Sequence, residues 1–185
     1  MHMRGKVLIG ALAVVALTAA VIPDAPVDGT KSTVTAEFKQ MSVPVAAPFK
    51  KFTGSVHYDP KRTDTVRAHL EIDMSSFDIG DDDYNAEVRK KEWFDSSTYP
   101  VAIFQASSIT PAGTNKFQAA GELSLKGKTL PLVVPVTLVS AGGFDTFEGS
   151  VPISRSKYRI GDPKWEDTVA DEVLIKFHIV APAVR

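Results

Sequence analysis

Three groups of residues have the types and spacing that could support chemistry. Ser154 and Lys157 form an S-x-x-K string, the arrangement found around the nucleophile of serine acyl-enzymes. Those strings begin a helix, which places the serine and the lysine on one side, whereas this string ends an alternating stretch. Residues three apart in extended chain point to opposite faces, so we expect no catalysis here.

Two histidines and a run of aspartates are candidate metal ligands. His57 and His69 alternate with apolar residues, which places them on the outward faces of a β-hairpin, within reach of Asp59 and Glu71. They could hold a metal ion as diagonal neighbours, but two solvated histidines are the simpler interpretation. The run at 81–83 lacks the glycine and distal glutamate of an EF-hand loop, so helix capping explains it better. We expect neither a metal site nor a cofactor.

Composition excludes several classes of protein. The 185 residues include no cysteine, which rules out disulfides, thiol catalysis and cysteine zinc sites. Net charge is −1, with lysine and arginine scattered along the chain, so we expect no nucleic-acid surface. The strings of esterases, metalloproteases and nucleotide-binding proteins are not found. We therefore expect a protein that is not an enzyme, with an unrecognised hydrolase as a remaining alternative.

Residues 1–25 have the pattern of a secretory signal. Arg4 and Lys6 precede an apolar run from Val7 to Val21, with small residues near its end. The run is short for a membrane span of about 20 residues, and an uncleaved anchor is the alternative. We expect cleavage between Thr18 and Ala25, and a periplasmic or secreted bacterial protein without a stable membrane anchor. Residues 26–185 would then form a single domain.

The rest of the chain is dominated by a period of two, which is typical of strands with one buried face. Residues 43–48 carry two prolines and are interpreted as a break. Short turns between the strands favour an antiparallel meander that closes into a lipocalin-like barrel, and a two-sheet sandwich is the alternative. Eight strands are predicted, near residues 32–39, 52–59, 66–74, 101–109, 116–126, 129–139, 144–154 and 172–181.

One segment interrupts this pattern. Between Phe77 and Asp95 the period changes, and good helix formers follow the aspartate run. We predict a short helical insert around 82–93, with basic residues near its C-terminal end and with Trp93 and Phe94 packed against the sheet.

Strand six is unusual because its outward face is apolar. Proline cannot donate to a ladder, so the two prolines there predict a bulge or pairing on one side only. A contiguous apolar patch would mark a partner surface, and we expect a homodimer. The outward apolar residues concerned are Pro131, Val133, Pro135, Val139 and, on the last strand, Leu174.

The inward face mixes aromatic with small residues. A barrel of eight strands either fills with side chains or encloses one small ligand. The small residues could leave volume for a long apolar molecule, or could only fit the taper of a filled barrel. No charged side chain is expected on the inner faces of strands two, three, five, seven and eight. The predicted lining comprises Phe38, Phe52, Gly54, Val56, Leu70, Phe104, Gly121, Leu123, Leu132, Phe147, Val151 and Phe177.

Several short pieces occur in an order that is specific when taken together. They are Phe52-Thr-Gly54, Ser76–Gly80, Trp93-Phe94-Asp95 followed by Tyr99-Pro100 and Phe104, Gly121–Thr129 with its Leu-Ser-Leu-Lys-Gly-Lys-Thr string, and Arg155–Gly161. From about Lys31 to its C-terminus the chain resembles the YceI-like family of lipocalin-shaped, polyisoprenoid-binding proteins, usually exported to the bacterial periplasm. The resemblance implies a barrel with a long apolar tunnel for a quinone-like or polyprenyl lipid, and often a dimer.

The chain departs from the family in one string. Many members carry Arg-Asp-x-His-Leu before the aromatic pair, where this chain has Tyr84 to Val88, so no head-group or metal role is implied there. Arg155, Lys157 and Tyr158 are expected at the barrel rim, as candidates for contact with the lipid head group. Arg155 matches the family's arginine after strand seven, and an ordinary salt bridge at the rim is the alternative role for it. We therefore expect an exported protein that holds an isoprenoid-type lipid, or, alternatively, a ligand-free interaction or stress-response module with a filled barrel.

Overall fold

The computed structural model describes residues 24–59, 65–161 and 163–183 of the chain. In these ranges no helix is long and apolar enough to span a membrane. Most of the predicted signal segment lies outside them. The elements are β1 Ala25–Pro26, β2 Thr33–Gln40, β3 Val43–Pro48, β4 Phe52–His57, β5 Arg67–Asp73, α1 Asp82–Val88, β6 Val101–Gly113, β7 Lys116–Leu125, β8 Lys128–Ala141, β9 Phe144–Ser154 and β10 Glu172–Pro182.

The strands form one antiparallel sheet in the order β1-β4-β5-β6-β7-β8-β9-β10-β2-β3. Within the described ranges it has ten strands, where eight were predicted. The all-β antiparallel architecture is confirmed, and one continuous sheet replaces the alternative of a two-sheet sandwich.

The two additional strands lie at the edges of the sheet. Residues 43–48, interpreted from their prolines as a break, form β3 and pair with β2 after a turn in which Met41 and Ser42 have positive φ. Proline is tolerated in an edge strand because one side needs no donor. The two-residue β1 pairs with β4 and buries Ala25, which has only 5% of its surface exposed.

The sheet curls until its edges are bridged. The amide of Val27 donates to Gly54 of β4 at 2.9 Å, and the next amide, that of Asp28, donates to Val180 of β10 at 2.7 Å. One short segment therefore links strands from opposite ends of the sheet order. Beside β3, the amide of Asp78 donates to the carbonyl of Pro48 at 3.0 Å, and the result is a barrel-like shape with a single interior.

Strand β8, which corresponds to the sixth predicted strand, forms a long ladder with one neighbour and a short ladder with the other. It pairs with β7 from Lys128 to Thr137, but with β9 only from Thr137 to Ala141. The prediction of pairing on one side in the proline-containing part is confirmed.

The helical insert is shorter than predicted. Helix α1 begins after Asp81, whose carboxylate accepts hydrogen bonds from the amides of Asp83 and Tyr84, so the capping role is confirmed. It ends at Val88, and the basic residues that follow lie beyond the last helical turn. The chain turns there because Trp93 and Phe94 pack against the core.

Candidate ligand cavity

The interior of the curled sheet contains an apolar cavity of about 220 Å³. Along β7 its lining runs from Ala119 to Leu125, which at about 3.3 Å per residue corresponds to roughly 20 Å. Two polar residues, His69 and Arg155, are among those that line it. The imidazole of His69 is held by Glu71 and Gln105, the guanidinium of Arg155 donates to main-chain carbonyls, and the surface that the wall presents to the cavity is almost entirely apolar.

Most of the predicted lining residues lie on the cavity wall, namely Phe38, Val56, Leu70, Phe104, Leu123, Leu132, Phe147, Val151 and Phe177. Phe52 packs against the core without lining the cavity. Gly54 and Gly121 do not line it either. A Cβ on Gly54 would lie 2.4 Å from the carbonyl oxygen of His69, and one on Gly121 would lie 2.2 Å from that of Gln105.

These two glycines therefore allow neighbouring strands to approach closely, and the expectation that they leave volume for a ligand is wrong. The small residues that do line the cavity are alanines. Ala36, Ala68, Ala102 and Ala119 are among them.

One end of the cavity, here called the helical end, is formed by residues that alternation alone could not place there. Phe94 packs edge-on against Phe77, with ring centroids 5.4 Å apart, and lies 6.4 Å from Phe49. Val88 of α1 and Ile160 also line this end. They come from loops and the insert, which have no period-two signal, although the aromatic pair itself was predicted to pack on the sheet.

Arg155 closes the helical end from inside. Only 4% of its surface is exposed. Its guanidinium donates to the main-chain carbonyls of Ala170 at 3.1 Å, Ile160 at 2.9 Å and Val169 at 2.7 Å, and lies 5.9 Å from the ring of Trp93. Arg155 was expected at the barrel rim, and the structure shows it buried because the chain after β9 folds over it.

The other two rim candidates differ from each other. Tyr158 is buried, and this burial raises the pKa of its hydroxyl. Lys157 is exposed, and its carbonyl accepts a hydrogen bond from the Lys128 ammonium at 3.0 Å. Of the three candidates, only Lys157 is exposed.

The β7–β8 turn fastens the insert to the barrel. The ammonium of Lys126 donates to the carbonyls of Glu92 at 3.2 Å and Arg159 at 2.7 Å. Burial lowers the pKa of Lys126, against the opposing charges of Asp95 and Glu92. The next residue, Gly127, has φ +71°, and a Cβ there would lie 2.7 Å from the ring of Tyr99. The pieces that carried the family resemblance therefore meet at the helical end.

The opposite end, here called the tyrosine end, is closed by rings. The ring of Tyr58 lies edge-on to Phe117 at 6.0 Å and to Phe147 at 6.2 Å between centroids. Asp145 is buried beside them and accepts a hydrogen bond from the Ser140 hydroxyl at 2.5 Å. Burial raises the pKa of Tyr58, and the charges of Asp145 and Asp59 raise it further. The expectation of no inward charged residue on strand seven, now β9, is wrong at Asp145.

The two histidines have separate partners. The ring nitrogens of His69 lie 2.7 Å from Gln105 and 2.9 Å from Glu71, and the hydrogen bond to Glu71 raises its pKa most. His57 is buried rather than solvated. Its Nδ1 lies 3.2 Å from a carboxylate oxygen of Asp24, but the two are not aligned as a hydrogen bond.

Two further candidate sites from the sequence, the metal site and the S-x-x-K string, are not formed within the described residues. Within 24–59, 65–161 and 163–183 no group of metal-binding side chains is present. The hydroxyl of Ser154 interacts with that of Ser156 at 3.1 Å, at the junction of β9 and a 3₁₀ turn, instead of starting an α-helix with Lys157.

Comparison with known proteins agrees with this geometry. The YceI-like domain matches residues 26–181. The chain belongs to this family. Among solved structures, BcnA of Burkholderia cenocepacia is 48% identical, with a TM-score of 0.81 over 84% of this chain and 99% of that one.

Two more distant structures show the fold alone. A polyisoprenoid binding domain from Saccharophagus degradans, implicated in plant cell wall breakdown, is 19% identical, with a TM-score of 0.70 over 87% of this chain and 99% of that one. The YCEI protein of Campylobacter jejuni is 12% identical, with a TM-score of 0.65 over 99% and 100%. This YceI-like chain spans about half the length of the curated relatives it matches. A UPF0312 protein of Vibrio cholerae is 28% identical over 94 residues, 51% of this chain and 50% of the relative.

Proposed function

We propose that the protein holds an isoprenoid-type lipid, quinone-like or polyprenyl, in the apolar cavity. The observation that carries the proposal is the apolar lining that continues for roughly 20 Å along β7. Each buried CH₂ of a hydrocarbon chain gains roughly 0.8 kcal/mol, so affinity should rise with chain length until the cavity is full. Membership of the YceI-like family and the fold shared with the Saccharophagus domain, described as polyisoprenoid binding, support this choice.

The test fills the cavity from one face of β7. Ala119 is buried, lines the cavity and is followed by Ala120, which does not line it. We expect Ala119→Phe to abolish binding of a fluorescent prenyl lipid, and Ala120→Phe to bind like the parent. Overpacking at Ala119 costs about 1–3 kcal/mol of stability, so thermal unfolding must establish that both variants are folded.

Two results would count against the proposal. A folded Ala119→Phe protein with parental affinity would remove the cavity as the site. A parent that binds no prenyl lipid of any length would favour the ligand-free module instead.

The polar head group is proposed to lie at the helical end. Arg155 is among the residues that line the cavity there. Its Nε, Nη1 and Nη2 donate to carbonyls, and it forms no close ion pair within the described chain, although its charge helps to lower the pKa of Asp171. A buried cation of this kind favours a ligand oxygen with negative charge or strong acceptor character. Arg155→Lys should reduce the preference for a prenylated quinone over a prenyl hydrocarbon of the same length. An unchanged preference would indicate that the head group binds near Lys157 or at the other end of the cavity instead.

We also propose that the protein is exported, and the contacts of the N-terminal strand suggest where the signal segment is cleaved. Asp24 lies 3.2 Å from His57, and Ala25 pairs with Val56. Cleavage after Ala25 would remove these contacts, so we propose a cleavage site before Asp24. The intact mass of protein isolated from its native compartment tests this, and a protein that still begins at Met1 would contradict export.

Self-association is proposed from the outward face of β8. Val133 and Val139 are 56% and 50% exposed, and Pro131 is also exposed, whereas Leu174 on β10 is half-buried. Sedimentation at about tens of micromolar, a concentration at which ordinary oligomers form, should detect a dimer that Val133→Lys weakens. A strictly monomeric parent would contradict this proposal.

A further inference from the structure

The hydrogen-bonded wall of the barrel is interrupted along one line, between residues 128–136 of β8 and residues 149–154 of β9, here called the seam, where buried apolar side chains such as Val134 and Val151 belong to one cluster. All of these residues are described, and they form no ladder with each other. The β8–β9 ladder stops at the pair Thr137–Glu148. If its register continued, Val134 would face Val151 and Val133 would face Pro152.

Three prolines account for the missing ladder. Along a strand, successive amides point to opposite neighbours. The amide of Leu138 donates to the β7 side, so Pro131 and Pro135 of β8 have their missing donors on the β9 side. The amide of Arg155 donates to the β10 side, so Pro152 lacks its donor on the β8 side. At every proline of these two strands, the missing amide donor is therefore on the seam side.

The cavity lies directly behind the seam. Leu132 and Val134 on β8 line the cavity, and so do Val151 and Ile153 on β9. Moving these two strands apart would expose the interior without breaking a ladder hydrogen bond, although it would separate the apolar cluster that contains Val134 and Val151. Opening either end would instead disrupt packed aromatic rings and, at the helical end, the carbonyl contacts of Arg155.

We infer that the hydrophobic ligand enters and leaves sideways through the seam, between β8 and β9, while both ends stay closed. The inference rests on the proposed function, since it concerns the route of that ligand. The prolines leave the seam without ladder hydrogen bonds, so that only apolar contacts hold it closed.

A cross-link tests the route, and the absence of cysteine from the chain makes it selective. Val133→Cys with Pro152→Cys, both on exposed positions, places two thiols across the seam for a short bismaleimide. Val139→Cys with Thr146→Cys is the matched control, because these residues are already paired in the closed part of the ladder. Stopped-flow uptake and release of a fluorescent prenyl lipid are measured, and intact mass establishes complete cross-linking.

We expect the seam cross-link to abolish uptake by the empty protein and release by the loaded protein, with the control unchanged. Exchange at the control rate in a fully cross-linked seam variant would overturn the inference and assign the route to an end. A parent that binds no prenyl lipid would overturn the proposed function and the route with it, a result seen before any cross-linking.

A second variant tests the prolines without a cross-link. Pro131→Thr, Pro135→Thr and Pro152→Thr together restore the donors, and each new ladder hydrogen bond should slow exchange by about fivefold. Pro44→Thr in β3 is the control and should leave both rates unchanged. Parental exchange in the triple variant, with amide hydrogen exchange showing the new bonds formed, would also overturn the inference.

Discussion

The two ends of the cavity are closed by different chemistry. At the helical end the cations Arg155, Lys126 and Lys128 donate to main-chain carbonyls of irregular segments. At the tyrosine end Tyr58 packs against phenylalanine rings, and the hairpin that carries Asp145 satisfies its own backbone in the β8–β9 ladder. Buried carbonyls outside regular structure need donors. In the loops of the helical end these cations supply them, whereas the hairpin of the tyrosine end supplies its own through the ladder.

The largest effect should come from Arg155. Arg155→Leu leaves several buried carbonyls without a donor, and we expect a loss of about 3–5 kcal/mol in the free energy of unfolding, measured by denaturant titration. Lys157→Ala in the following turn is exposed and should change it by less than about 0.5 kcal/mol. Equal stabilities of the two variants would show that the hydrogen bonds of Arg155 do not stabilise the helical end.

The wall between the two ends should be nearly as sensitive. In Gly121→Ala the new Cβ would lie 2.2 Å from the carbonyl oxygen of Gln105 in the neighbouring strand, so we expect a loss of about 1–3 kcal/mol. Gly29→Ala would meet only an ordinary contact at 3.9 Å and is the control. If both variants melt alike, Gly121 is not required for the close approach of β6 and β7.

A pair of lysines on β7 compares the ends directly. Lys126→Met removes two hydrogen bonds to carbonyls at the helical end, and should cost about 1–2 kcal/mol. Lys116→Met lies at the exposed start of the same strand and should be close to neutral. Faster amide exchange around Trp93 in the first variant alone would link the loss to the insert, and uniform exchange in both would contradict that link.

The smallest effect is electrostatic. Burial raises the pKa of both Tyr58 and Tyr158 above about 10, so the associated stability is present below that pH and is lost as pH rises through the folded-state pKa. Only at Tyr58 do carboxylates raise the pKa further. Asp145→Asn should therefore lower the pKa of Tyr58 without moving that of Tyr158, in ultraviolet titrations assigned with Tyr→Phe variants. A shift at both tyrosines, or at neither, would contradict the assignment.

The alternation of apolar and polar residues predicted most strands, because it shows which face of a strand is buried. Leu70, Leu132 and Phe177 were assigned correctly to the interior in this way. The same signal carries no information on how close the next strand lies, which is why Gly121 was misread as open volume. The same signal also missed the edge strand β3, because an edge strand tolerates prolines that a central strand would exclude.

The ends of the cavity were the least predictable part. Arg155 follows a strand, which suggests a rim, but its burial depends on a loop that returns from residue 163 onward. Asp145 occupies an inward position because Ser140 across the hairpin satisfies it. Both positions are set by contacts distant in sequence, and local pattern contains no record of them.

Native mass spectrometry of the protein purified from its own host tests the central claim, a cavity occupied by an isoprenoid lipid. We predict a bound hydrophobic species whose mass fits an isoprenoid, retained in Ala120→Phe and lost in folded Ala119→Phe. Repeated spectra with only the mass of the bare chain, from parent protein handled without detergent, would contradict it.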